Sequence, residues 1–233
     1  MRAVTEAVRL ARREALGVSV ATGLYGISFG ALSVAGGLSV AQTVVLSLIM
    51  FSGGSQFAFV GVVAAGGGGP TAIATGALVG VRNALYGARM APLLGVRGWR
   101  RLVAAQLTID ESTAVATAQR ETRAVREGFW WTGVGIYVLW NIFVTVGALA
   151  GNALGDPGTW GLDAAAAAAF LALVRARLAD PVARTVGLAA AVVALALTPV
   201  LPSGLPVIAA ALVAALVGWW RPGAAPAGEE EAA

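Results

Sequence analysis

Long apolar blocks alternate with short punctuation along this chain. The blocks cover residues 16–36, 41–65, 71–95, 128–150, 162–178, 184–201 and 204–221. Several reach the ~20 residues that a helix needs to cross a hydrocarbon core of ~30 Å. "GLSVAQ" follows the first block, and "GGGGP", Gly66 to Pro70, marks a turn. Pro199, Pro202 and Pro206 bracket another. The ~10-residue alternating segments of a transmembrane barrel are absent. The pattern predicts an all-α fold: a polytopic helical membrane protein with about six to eight membrane segments, at least one of them a discontinuous (broken or re-entrant) helix.

The rest of the chain divides simply. Residues 1–15 read as a cytoplasmic, interfacial lead-in, with an amphipathic Arg-rich helix at 1–14 whose Val4, Val8 and Leu10 touch lipid. Charge continues to Glu14 and the next apolar run is span-length, so this is expected to be retained rather than cleaved as a signal peptide. Residues 16–221 form a single transmembrane domain. The small acidic tail 222–233 is expected to be disordered.

Arginine sets the orientation. Loops at 151–161 and 202–204 lack Arg, whereas 97–101, 119–127, 175–184 and the segment after 220 carry it. The positive-inside rule makes the latter cytoplasmic, with both termini inside. If 41–65 crosses fully, Arg97, Arg100 and Arg101 fall on the wrong face unless 102–118 also crosses, which gives eight spans. If 41–65 dips in and returns, every cluster is satisfied with six, and 102–118 is re-entrant or lies on the surface. Length argues the other way, since 25 helical residues suffice to cross. The sequence leaves both arrangements open.

Composition agrees with a membrane setting. Of 233 residues, 58% are hydrophobic and 12% charged, against a charged share of ~25% in soluble domains. Mean hydropathy is +0.79. The net charge of +4 comes from sixteen arginines and no lysine. In this setting it reflects cytoplasmic loops rather than nucleic acid. With no Cys and no His, disulfides, thiolate nucleophiles and His-based metal sites are excluded within the chain. A Ser–His dyad is equally impossible, and Asp110 has no second acid at its depth beyond Glu111. An enzyme is therefore not expected, and neither is a metal or cofactor.

Three stretches carry candidate chemistry. "FSGGSQF", Phe51 to Phe57, puts Ser52, Gly53, Gly54, Ser55 and Gln56 inside an apolar block. Each glycine gives up ~1 kcal/mol of helix stability relative to Ala. Unwound backbone at membrane depth is tolerated only beside protein or a water-filled cavity. N–H groups freed at a half-helix start attract anions, and freed carbonyls hold cations; secondary transporters use broken helices this way. Close helix packing is the plainer reading of "SGGS", but packing does not call for the amide of Gln56. "GVRNALYGARMAP" places Arg82 mid-block, with Asn83, Tyr86 and Arg89 nearby. A mid-membrane Arg costs ~2.5–3.5 kcal/mol on insertion scales and seeks a partner, whereas Arg89 can snorkel to the interface. "LTIDES" holds Asp110 and Glu111, the only acids between Glu14 and Glu121. They are natural partners for Arg82 and, in a His-free chain, natural proton carriers; a charged surface helix is the alternative. Weaker signals are Trp140 with Asn141, and Asp163, which reads as an N-cap.

These three stretches, in this order, resemble the AzlC family, the large subunit of bacterial branched-chain amino acid exporters. "FSGGSQF" resembles its aromatic–small–Gly–small–Ser–Gln–Phe signature, "VRNALYGARMAP" its Arg-His-x-Leu-Tyr-Gly stretch, and "LTIDESTAVATA" its Leu-Thr-Asp-Glu segment. Asn83 stands where that family commonly has His, and Ile109 adds a residue before Asp110. The resemblance implies a secondary transporter, a permease in the bacterial cytoplasmic membrane that exports valine, leucine, isoleucine and methionine with a small AzlD-type membrane subunit. It carries over Gly53, Gly54, Ser55 and Gln56; Arg82, Leu85, Tyr86 and Gly87; and Asp110 and Glu111. Ser52 and Asn83 join the expected substrate site, and Phe51, Phe57 and Leu85 its apolar lining. A channel or scaffold subunit without coupled transport is the alternative.

Overall fold

The computed structural model describes residues 2–153, 171, 175, 177–201 and 205–220. Most of the expected span 162–178, Asp163, Pro202 and the acidic tail lie outside the described residues. The chain divides into two compact units, residues 1–167 and 168–233. Among the described residues every regular element is helical.

The first unit contains seven helices: α1 Arg2–Ala35, α2 Val40–Ile49, α3 Gly53–Ala64, α4 Gly69–Leu94, α5 Trp99–Gln106, α6 Asp110–Thr117 and α7 Thr122–Ala153. Two of them, Val4–Ala35 and Thr122–Ala153, are long and apolar enough to cross a membrane. At 34 residues, α1 is about 51 Å long.

α1 and α7 pack side by side and run in the same direction. Arg12 pairs with Glu127 at 2.9 Å, Gly23 faces Leu139, and Gly151 faces Ala31. The contact is closest where glycines meet backbone. A Cβ on Gly30 would collide with the carbonyl of Val144, and one on Gly147 with the carbonyl of Ile27. Small residues let helix axes approach this closely.

One continuous helix covers both the expected lead-in and the first block. Its N-terminal turns do not lie free on a surface. Val8 and Ala11 are buried with Ala124 of α7, and Gln119 donates to Glu14 at 3.0 Å. The expectation that Val8 touches lipid is therefore corrected, because the small side chain of Ala124 opens room for it. Leu10 is exposed.

The chain direction between α1 and α7 follows from its contacts. Ser39 starts α2 with a capping box, accepting from Gln42 N–H and donating its own N–H to the Gln42 side chain. α2 leaves the Gly36 end and reaches mid-height, where Tyr137 of α7 donates to Leu48 O at 3.2 Å. After a break at Met50–Ser52, α3 turns back. Phe57 lies against Tyr25 and Phe29, and a Cβ on Gly36 would touch Ala64 at 3.1 Å. The turn that follows uses Gly66 at φ +76, a backbone state that favours glycine.

α4 then runs the full height. It ends at Gly95, at φ +63, where Arg126 of α7 donates to Leu93 O at 3.2 Å. α5 climbs from there, so that Leu107 packs on Gly133. α6 descends, and Val115 packs on Gly128. Two helical hairpins, α2/α3 and α5/α6, thus enter from opposite ends and turn near the middle of α7. In the first unit, arginines other than Arg82 and Arg89 are carried on segments at the Glu127 end; between Glu14 and Arg82 the chain has no charged residue.

The second unit pairs α8 (Pro181–Leu197) with α9 (Leu205–Trp220). Asp180 caps α8, accepting from Val182 and Ala183 N–H at 3.1 and 3.2 Å. A cavity of about 520 Å³ in this unit is lined by apolar side chains and Thr185.

Candidate functional site

The polar groups of the first unit converge where the two hairpins turn. α2 and α3 are separated by three residues. Met50 is at φ −93, ψ 70, and Ser52 is extended at φ −160, ψ 102. Such a break exposes carbonyls at the end of one helix and N–H groups at the start of the next. The carbonyls are satisfied. Gln56 Nε2 donates to Ser47 O at 3.3 Å. Gln106 Nε2, from α5, donates to both Leu48 O and Ile49 O at 3.1 Å. The N–H groups fare differently. Ser52, the N-cap of α3, makes no side-chain cap bond. Its hydroxyl bonds to Ser55 Oγ at 3.2 Å instead. The first-turn donors of Gly53, Gly54 and Ser55 are left without such an acceptor.

The second break, Leu107–Ile109, is closed by its own side chains. Thr108 Oγ1 donates to Ala104 O at 2.7 Å. Ser112 Oγ accepts from Ile109 N–H at 3.0 Å and donates to Leu107 O at 2.7 Å. Asp110 and Glu111 open α6, where the helix dipole favours carboxylates.

Arg82, midway along α4, joins the two. Its Nη2 lies 2.7 Å from Asp110 Oδ2. The same nitrogen lies over Gly54, 2.7 Å from where a Cβ would stand. A side chain at Gly54 would push the guanidinium aside, and with it the contact to Asp110. Tyr86, one helical turn on, donates to Asp110 Oδ1 at 2.8 Å. The carboxylate of Asp110 is thus held at both oxygens.

Of the expected site residues, Gly54, Arg82, Tyr86 and Asp110 are in contact. Gly53 sits against the ring of Trp140. Ser52, Ser55 and Gln56 are buried, and Gln56 ties α3 to α2 while its Oε1 has no partner. Glu111 follows Asp110 but forms no ion pair among the described residues. Asn83 sits beside Arg82 with its Oδ1 buried and unpaired, bonded to neither break. The apolar lining needs correction. Leu85 is 68% exposed, turned about 100° around α4 from Tyr86. Phe51 packs edge-on against Tyr137, and Phe57 is buried among Tyr25 and Phe29.

Four residues at the centre escaped the sequence-level reading of the site: Gln106, Tyr137, Tyr25 and Trp140, the last noted only as a weak signal. A glutamine after an Arg-rich turn gave no cue to its reach. Tyr25 did have one, the triplet Leu24–Tyr25–Gly26 that recurs as Leu85–Tyr86–Gly87.

No curated protein matches the chain, and no solved structure does. A family profile, described as AzlC protein, matches residues 17–154. That range runs from the first turns of the apolar part of α1 to the end of α7 and includes both breaks, Arg82 and Asp110. The chain belongs to the AzlC family, and with its apolar helices it is a membrane protein concerned with transport.

Proposed function

We propose that this protein is a secondary transporter that exports branched-chain, small aliphatic amino acids across the bacterial cytoplasmic membrane, coupled to protons and working with a small AzlD-type membrane subunit. The observation that carries this reading is the Arg82–Asp110 pair at the junction of the two breaks. An amino acid is a zwitterion, and the junction offers complementary groups. The open N–H groups of α3 and the guanidinium of Arg82 suit its carboxylate. Asp110 and Glu111 suit its ammonium. Protonation of Asp110 would release Arg82 toward the carboxylate, which links a proton to the substrate.

The hairpins are read as re-entrant. α2 and α3 have 10 and 12 residues, about 15 and 18 Å, roughly half the ~30 Å of a hydrocarbon core each. With α4 crossing once between the parallel helices α1 and α7, the Arg-bearing segments fall on one side, the cytoplasmic side by the positive-inside rule. This supports the six-span arrangement with both termini inside.

The test is flux in liposomes reconstituted with the protein and its small subunit. Labelled leucine should enter saturably and show counterflow, and Asp110→Asn should abolish both while the protein stays folded. Non-saturating conductance would favour the channel reading. Wild-type flux in Asp110→Asn would refute the assignment of the site.

A further inference from the structure

We infer that the first unit is an inverted-topology repeat and that Tyr25 is the counterpart of Tyr86, donating its hydroxyl to an anion seated at the start of α3. The inference deepens the transporter reading, because that anion is the substrate carboxylate.

The repeat is visible in the order of elements. α1 runs the height of the unit and is followed by the hairpin α2/α3. α4 runs the opposite way and is followed by the hairpin α5/α6, which enters from the opposite end. Each hairpin turns on three non-helical residues, Met50–Ser52 and Leu107–Ile109. Each long helix carries the triplet Leu-Tyr-Gly, at Leu24–Gly26 and Leu85–Gly87. In transporters built this way, the binding site lies where the two repeats meet.

The halves differ in one respect. In the second, Tyr86 donates to Asp110, the first residue of α6. In the first, the residue in Asp110's place is Gly53, which has no side chain to offer. Tyr25 lies against Phe57 of α3, with ring centroids 5.4 Å apart, and its hydroxyl is buried without a partner. Two side chains more than nine-tenths buried leave polar atoms unpaired at the same break. Trp140, whose Cη2 packs on Gly53, leaves its Nε1 unpaired on the other edge of the indole, and Gln56 Oε1, an acceptor for an ammonium, lies in the first turns of α3. Buried polar atoms left unpaired are rare in native structures and call for an explanation. A carboxylate at Gly53 would stand to Tyr25 as Asp110 stands to Tyr86, with Arg82 beside the next residue, Gly54. The second half carries its anion covalently, and the first half borrows one from the ligand.

A double-mutant cycle tests this with no ligand added. Gly53→Asp supplies the missing carboxylate; a Cβ there meets only the Trp140 ring, at 3.7 Å. In the wild-type background Tyr25→Phe should leave the melting temperature of the detergent-solubilised protein unchanged. In the Gly53→Asp background the same change should lower it by roughly 5 °C, because a charge-assisted bond is lost. Gly53→Asp should also block leucine flux, its carboxylate occupying the site. If Gly53→Asp does not fold, Gly53→Asn places a neutral acceptor in the same position and the cycle is repeated with it. Equal effects of Tyr25→Phe in both backgrounds would overturn the inference. Coupling in the cycle without leucine flux in the wild type would uphold Tyr25's role and sink the substrate reading instead.

Discussion

Replacing Asp110 by Asn removes one charge and keeps the shape of the side chain. Tyr86 can still donate to the amide oxygen, so the change isolates the ion pair with Arg82. The Nη2–Oδ2 distance is 2.7 Å, with the side chains 31% and 33% exposed. Fully exposed pairs contribute ~0–1 kcal/mol, and stripping one partner from a buried pair costs ~3–5 kcal/mol. A pair one-third exposed falls between, at about 2 kcal/mol. Arg82 Nε already lacks a partner, so the change leaves the guanidinium with a second unpaired nitrogen. For a chain of this size that loss lowers the melting temperature by about 4–8 °C. Arg82→Gln should cost less, because Asp110 keeps the Tyr86 hydroxyl. The double variant should be more stable than the sum of the single losses predicts, with a coupling of about 1–2 kcal/mol. The assay is thermal unfolding in detergent, followed by the tryptophans that α7 supplies. Strictly additive losses would refute the reasoning, since they would mean that the two charges do not feel each other.

Two further outcomes follow from the packing and the chain direction. Gly30→Ala should lower stability by about 1–3 kcal/mol, because its Cβ meets the backbone of α7, which cannot give way. Gly61→Ala, with nothing within 4 Å of its Cβ, should instead be neutral or stabilising by up to about 1 kcal/mol; melting curves of the two variants check this. In this cysteine-free chain, Gly67→Cys should be labelled by an impermeant maleimide from outside the cell and Arg97→Cys only from inside. The reverse pattern would sink the re-entrant arrangement.

The break at Gly53 was legible because polar and small residues interrupt an apolar block, and a helix there would leave Gln56 and two serines in lipid. The pairing of Arg82 with an acid was legible from scarcity, since Asp110 and Glu111 were the only carboxylates at comparable depth. The direction of α3 was not. A run of 25 apolar residues is long enough to cross, and nothing local distinguishes a kinked crossing from a return. The decision rests on tertiary contacts, Gly36 against Ala64 and Tyr137 beneath Leu48. The extent of α1 and α7 was also hidden, because their charged ends read as interfacial. Arg12 and Glu127 carry the helices past the apolar blocks by pairing with each other. The glycines of the α1–α7 contact were present at spacings that suit close packing, Gly23, Gly26 and Gly30 on one helix and Gly147 and Gly151 on the other. A chain with 31 glycines makes any one such spacing a weak signal. Leu85 was misplaced because its neighbour Tyr86 faces the site, and adjacent helical residues point about 100° apart.

What remains unpaired at the first break decides the sign of the ligand. A broken helix offers carbonyls to cations and N–H groups to anions, and the sequence alone leaves both uses open. Here the carbonyl end is closed three times over, by Gln56, Gln106 and Tyr137. Two of these donors come from outside the first hairpin, so the second hairpin and α7 help to cancel the negative end of α2. The donor end of α3 has no such closure: its cap hydroxyl is turned to Ser55, glycines occupy the first two positions, and the nearest charge is the guanidinium of Arg82. Donors therefore dominate the start of α3 itself, with unpaired amide oxygens on Gln56 there and on Asn83 beside Arg82. A cation would have to compete with Arg82 for Asp110, and a carboxylate with Asp110 for Arg82, but only the carboxylate also meets the open amides at the start of α3. On the proposed reading the break takes an anionic group, and Asp110, once released from Arg82, takes a positively charged one nearby. A small zwitterion would satisfy both, which is why an α-amino acid is proposed rather than an inorganic ion of either sign.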